Sequence, residues 1–146
     1  MAQETPLFIR PDDPGDVGKF PYFNGDQVGW THVQAILQFA VGGVPGPVFP
    51  STVGQRWYNR TGAAVAITEW HASLGQVSSS GAVTVEVTMD GSTTASASIT
   101  VAQGSNTQLN SAQPLTVPAG SYLQVRVPAA GAGAADLVVM AKGTLA

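Results

Sequence analysis

Few side chains in this 146-residue chain could do chemistry on a substrate or hold a ligand. His32 and His71 are the two imidazoles, and with Ser and Asp plentiful they raise the idea of a hydrolase triad. A triad needs a presented nucleophile with a base in reach, and no nucleophile-elbow pattern occurs. No catalytic residue is therefore assigned. His71 reads as a strand residue at the edge of a core, and His32 as a polar residue at the junction of two segments. Asp12-Asp13-Pro14-Gly15-Asp16 places three carboxylates in a tight turn. That is the oxygen-rich chemistry of a Ca²⁺ site, but the spacing does not match an EF-hand loop. The turn reads as solvated, or as a set of salt-sensitive contacts to basic groups on a partner. Neither metal nor cofactor is expected.

Trp30, Trp57 and Trp70 present flat faces of the kind that stack on sugars. Trp70 lies among apolar strand neighbours and Trp57 beside Tyr58 at a strand start, so both read as core packing. Trp30 reads as a pin between the leader and the domain behind it. Asn59-Arg60-Thr61 fits a glycosylation sequon, but followed by Gly62 it reads as a turn.

What must position these residues is set by composition. Charged residues make up 10% of the chain, against roughly 25% in an average soluble domain. Such a surface repels neighbours weakly and suits close packing in an assembly. The net charge of −3 comes from the leader, where Glu4, Asp12, Asp13, Asp16 and Asp26 outnumber Arg10 and Lys19. The six Lys and Arg are unclustered, which excludes the electrostatic footprint of a nucleic-acid binder. There is no cysteine, hence no disulfide or thiolate chemistry. The start of the chain lacks the pattern of a secretory signal, and no stretch approaches the ~20 apolar residues of a membrane span. A soluble protein made in a cytoplasm is expected, with no membrane partner.

The organisation expected is an extended Pro/Gly-rich N-terminal arm over residues 1–30 and a β-sandwich domain over 31–146. Prolines 6, 11, 14 and 21 and glycines 15, 18, 25 and 29 interrupt any regular period in the arm. Leu7, Phe8 and Ile9 form one apolar cluster and Phe20, Tyr22 and Phe23 another, both too costly to leave in water. Leu7 to Ile9 suit a lid on the same domain or a neighbouring subunit equally, whereas Phe20 to Phe23 are expected to pack within the chain. With Trp30 these residues are the candidate anchors for a partner.

The domain reads as all-β. Residues 30–41 are read as a strand in which Val33, Ala35, Leu37, Phe39 and Val41 share one face, stopped by Gly42-Gly43 and a proline-rich loop. A short strand over 55–59 follows. Residues 64–74 form a longer strand whose apolar phase shifts between Val65/Ile67 and Trp70/Ala72/Leu74, which demands a bulge or burial on both faces. Val83, Val85, Val87 and Met89, then Asp90-Gly91, then Ala95, Ala97, Ile99 and Val101 predict a hairpin. A polar connection over 103–111 leads through Leu115 to Gly120 into a strand carrying Leu123, Val125 and Val127. The run 129–135 reads as a flexible loop, and the last strand spans 137–142. Six or seven short strands without a helix predict an antiparallel β-sandwich of jelly-roll or immunoglobulin-like order.

From Leu37 onward the order of motifs resembles a small β-sandwich module of bacteriophage virion proteins, found in tail-fibre-like and head-associated chains. The matching pieces are Leu37-Gln38-Phe39, Gln55-Arg56-Trp57-Tyr58-Asn59-Arg60-Thr61-Gly62, Ile67 through Gly75, Val83 to Val87 with Asp90-Gly91, Val117 to Leu123, and Asp136 to Val139. The resemblance implies a non-enzymatic virion component. A short chain with its own arm is similar to a capsid decoration protein on the outside of the particle, bound to the major capsid protein. It implies self-association too, with attachment near local three-fold positions suggesting a trimer; the residues themselves suit a dimer equally. The alternative is a tail-fibre or fibre-tip module that binds a host-surface glycan.

Overall fold

The computed structural model describes the backbone of residues 19–24 and 27–32 and the whole of residues 36–146. It divides into two units, one within 1–35 and one over 36–146. In the first, β1 (Lys19–Asn24) and β2 (Gln27–His32) pair as an antiparallel hairpin with Phe20 opposite Thr31 and Pro21 opposite Trp30. This corrects one expectation: the stretch before Gly29 does contain a strand, Pro21 included, which an edge position in a two-stranded ribbon allows. Of the strand expected over 30–41, residues 30–32 belong to β2 and 36–41 to the next strand, and residues 33–35 lie outside the described residues.

The second unit is all-β, two antiparallel sheets packed face to face. Its strands are β3 (Ile36–Pro47), β4 (Thr52–Tyr58), β5 (Val65–Gln76), β6 (Val83–Met89), β7 (Ala97–Val101), β8 (Thr107–Asn110), β9 (Leu115–Val117), β10 (Tyr122–Ala129) and β11 (Ala135–Leu145). One sheet has the order β4-β10-β6-β7. The other runs β3-β11-β5-β8, with β9 also pairing β5. The chain crosses between the sheets at nearly every connection. The strands therefore outnumber the six or seven expected. β8 lies in the segment read as a polar connection, because its residues Thr107, Gln108 and Leu109 are all exposed and give no apolar alternation.

The core is the filling between the two inner faces. Val83, Val85, Val87, Ile99, Val101, Leu123, Val125 and Val127 from one sheet meet Val65, Ile67, Trp70, Ala72, Leu137 and Val139 from the other. The predicted phase shift in β5 is real and is absorbed by a bulge. β11 pairs Lys142 with Glu69 but Gly143 with Ile67, leaving Thr68 as the extra residue. Val65, Ile67, Trp70, Ala72 and Leu74 are in consequence all buried.

β3 runs straight through the expected Gly42-Gly43 stop. These glycines mark a close crossing: a Cβ on Gly42 would lie 3.0 Å from the Gln55 carbonyl oxygen, and one on Gly54 2.9 Å from that of Gly43. β3 and β4 thus meet backbone to backbone at the rim of the sandwich. Pro45 and Pro47 are tolerated because β3 is the outer strand of its sheet.

The run 129–135 is tied down rather than free. Ser79 N–H and its hydroxyl donate to the Ala132 carbonyl at 2.8 and 3.0 Å, Val48 N–H donates to Ala134 O at 2.9 Å, and Ala134 is buried. A Cβ on Gly131 would collide with Ser80 O, Ser78 Oγ and Gly81 O, so this loop nests in the Ser78–Gly81 loop.

Candidate functional site

Each motif singled out in the sandwich is used first in building it. Asn59, which follows β4, is 1% exposed. Its Nδ2 donates to the carbonyls of Ala63, Val117 and Pro118 at 2.8, 2.9 and 3.0 Å, while its Oδ1 accepts from the N–H and hydroxyl of Thr61 at 3.2 and 2.7 Å. The side chain that fits a sequon is thus the staple that joins the β4–β5 turn to the β9–β10 turn. Asp90 and Gly91 both have positive φ, 51° and 76°, and Ser92 N–H donates to Met89 O at 2.9 Å, closing the turn after β6. Asp90 Oδ1 also accepts from Tyr122 N–H at 2.9 Å.

Trp70 is fully buried and its indole N–H donates to the Gln113 carbonyl at 2.8 Å. Trp57 stacks on Phe39 with ring centroids 4.3 Å apart at the margin of the core. Both therefore pack inward. His71 is half-buried on the outer face of the five-stranded sheet, paired across strands with Met140 and Leu109. It lines a shallow cavity of about 240 Å³ with Gln38, Glu69, Leu109, Met140, Ala141 and Lys142, a set with no hydroxyl nucleophile. The anchors Leu7, Phe8 and Ile9 and the carboxylates Asp12, Asp13 and Asp16 lie outside the described residues. Phe20, Tyr22, Phe23, Trp30 and His32 are described only as members of β1 and β2, and their side chains lie outside the description.

The outer face of the four-stranded sheet carries a cluster not singled out from the sequence. Tyr58 at the end of β4 faces Tyr122 at the start of β10, their ring centroids 5.3 Å apart and tilted by 45°. The Arg56 guanidinium sits 4.7 Å over the Tyr122 ring and that of Arg60 5.6 Å over the Tyr58 ring. Hydrogen bonding with Tyr58 and the charge interaction with Tyr122 push the Arg56 pKa up, so it is a fixed positive charge. Further along the same face, Arg126 pairs with Glu86 at 3.1 Å. The available signal was Arg56 and Tyr58, which the period of two puts on one side of β4, with Arg60 two positions on in the turn that follows.

No protein-family model matches the chain, and no curated protein matches it. Among the described residues no group of three or more His, Cys, Asp or Glu side chains is placed to hold a metal ion. What the described unit offers is a filled sandwich with two contrasting outer faces. One carries the arginine–tyrosine cluster, the other a row in which the His71 imidazole lies between the apolar Met140 and Leu109.

Proposed function

We propose that the chain is a non-enzymatic structural component of a bacteriophage particle, a capsid decoration protein that binds the outer shell and stabilises it. Residues 1–30 act as the anchoring arm and copies of the chain contact one another, as a trimer, on the major capsid protein. The observation that carries this reading is the strand order, β3-β11-β5-β8 against β4-β10-β6-β7. The first strand of this unit pairs with its last, and six of its eight connections change sheet, which supports a jelly roll over an immunoglobulin-like order. Jelly rolls recur in viral capsid and lectin domains, an analogy of fold that raises the expectation without fixing the site.

The chemistry of the motifs points the same way. The pieces that resemble the virion module are spent on turns, a staple and the core. Charge is sparse as well: residues 36–146 hold Arg56, Arg60, Arg126 and Lys142 against Glu69, Glu86, Asp90 and Asp136. Attachment then proceeds by burial. If Leu7, Phe8 and Ile9 each gain ~1.5 to 3 kcal/mol on docking, the sum outweighs the ordering of a short segment. The glycan-binding alternative loses two of its three stacking surfaces, since Trp57 and Trp70 face the core.

The test is the copy number of the chain per purified particle, by quantitative mass spectrometry against the major capsid protein. Hundreds of copies are expected. A handful would move the protein to the tail, and absence would overturn the reading. Deleting residues 2–19 is expected to abolish shell binding and leave the sandwich folded, and full retention of binding would remove the arm from the mechanism.

A further inference from the structure

We infer that Arg56, Tyr58, Arg60 and Tyr122 form a binding site for an acidic polysaccharide, a chain of sugars bearing carboxylates. This inference goes beyond the shell-attachment reading and does not rest on it. Both guanidiniums lie on tyrosine rings, Arg56 at 4.7 Å and Arg60 at 5.6 Å, and neither makes a salt bridge with a described carboxylate. Arg126 on the same face is different, because Glu86 engages it at 3.1 Å and the Thr93 carbonyl at 2.9 Å. A guanidinium held over an exposed ring and not engaged by a described carboxylate keeps N–H groups for a ligand carboxylate, which it can grip with two hydrogen bonds. The ring also restricts the arginine rotamers, so less freedom is lost when a ligand arrives.

The surroundings select among anions. The site stands on an open face, with Tyr58 41% exposed, which suits a polymer better than an enclosed small molecule. Beside it Gln124 pairs across strands with Arg56 and is half-buried; its Nε2 donates to the Gly54 carbonyl at 3.2 Å, and its Oε1, which accepts from no described group, matches a sugar hydroxyl. Asp90 adds one negative charge at the rim, with its Oδ1 taken by the Tyr122 N–H. Two positive charges tempered by one negative fit about one carboxylate per sugar and disfavour a densely charged polyphosphate. A peptide would be expected to add along the free edge of β4, whereas the cluster projects from the face.

The experiment is calorimetric titration of the full chain with an oligogalacturonate of about ten sugars, beside its methyl ester and a poly-glutamate of equal charge. The acid is expected to bind, and the ester, which keeps every hydroxyl and loses the charge, at least about tenfold more weakly. Arg56→Gln and Arg60→Gln are each expected to weaken binding about threefold to tenfold, while Lys142→Gln, on the opposite sheet, stays within about twofold. The inference is overturned if the acid fails to bind, if the ester binds as well, if poly-glutamate binds as tightly, or if Lys142→Gln weakens binding as much as the arginine variants. The ester comparison uses the unaltered chain, so it decides the matter even if an arginine variant does not fold.

Discussion

Single side chains in this protein matter most where they satisfy several backbone groups at once. Asn59 serves three carbonyls and two donors from a site with 1% exposure. Replacing it with Ala leaves the buried Val117 carbonyl without this partner and the part-buried groups around it dependent on water, a buried loss costing about 1–3 kcal/mol and the others less. Asn59→Ala is therefore expected to lower stability by about 2–4 kcal/mol, read as a shift of the urea midpoint at unchanged slope. Arg60→Ala, one position on, is exposed and is expected to change stability by less than about 0.5 kcal/mol. Gln113 acts similarly between the sheets: its side-chain oxygen accepts from Ser98 N–H at 2.6 Å and its backbone carbonyl from the Trp70 indole at 2.8 Å. Gln113→Ala keeps the second bond and loses the first, and a cost of about 1 kcal/mol in the same denaturation assay is expected.

At the level of elements, the bulge in β5 yields a contrast between two deletions. Removing Thr68 leaves Ile67 and Trp70 separated by one residue, so Val65, Ile67, Trp70, Ala72 and Leu74 all keep facing inward and the ladder to β11 becomes regular. Removing His71 instead inverts the remainder of the strand and turns Ala72 and Leu74 toward water. The first deletion is expected to leave a cooperative thermal transition, and the second to abolish it. Equal loss in both would mean that the bulge itself is indispensable to the pairing of β8 and β9. The same element shows how far the sequence could be read. The phase shift in β5 and the β6–β7 hairpin were legible because apolar side chains alternate against polar ones there. β8 was hidden because an exposed four-residue strand buries nothing, and the length of β3 was hidden because glycine and proline, turn formers elsewhere, serve a close crossing and an edge strand. The arginine–tyrosine cluster was half legible. Three of its members alternate along the chain, but Tyr122 joins them only through the pairing of β4 with β10.

For the whole molecule the question is whether the sandwich needs the residues before it. The described core is supplied by residues 41–141, and no buried side-chain polar atom among the described residues lacks a hydrogen-bond partner. Two of the sheet edges are also guarded against pairing with other chains. β3 carries Pro45 and Pro47, and β7 is covered where Gln113 and Asn110 bond the Ser98 N–H and carbonyl. A fragment of residues 36–146 is accordingly expected to fold and to unfold in one step in urea, followed by the fluorescence of Trp57 and Trp70, with a slope of about 1–3 kcal/mol per molar. Its charge, however, is altered. Four basic residues against four acidic ones sum to zero, so the −3 of the full chain resides in residues 1–35. Near-zero net charge promotes association, and the fragment is expected to be much less soluble than the full chain near pH 7, and to recover solubility at pH 9 or above, where the amino terminus loses its charge. A fragment that gives a broad, non-cooperative transition at pH 9 would show that residues 1–35 complete the core. One that is as soluble as the full chain at pH 7 would separate solubility from the acidic leader.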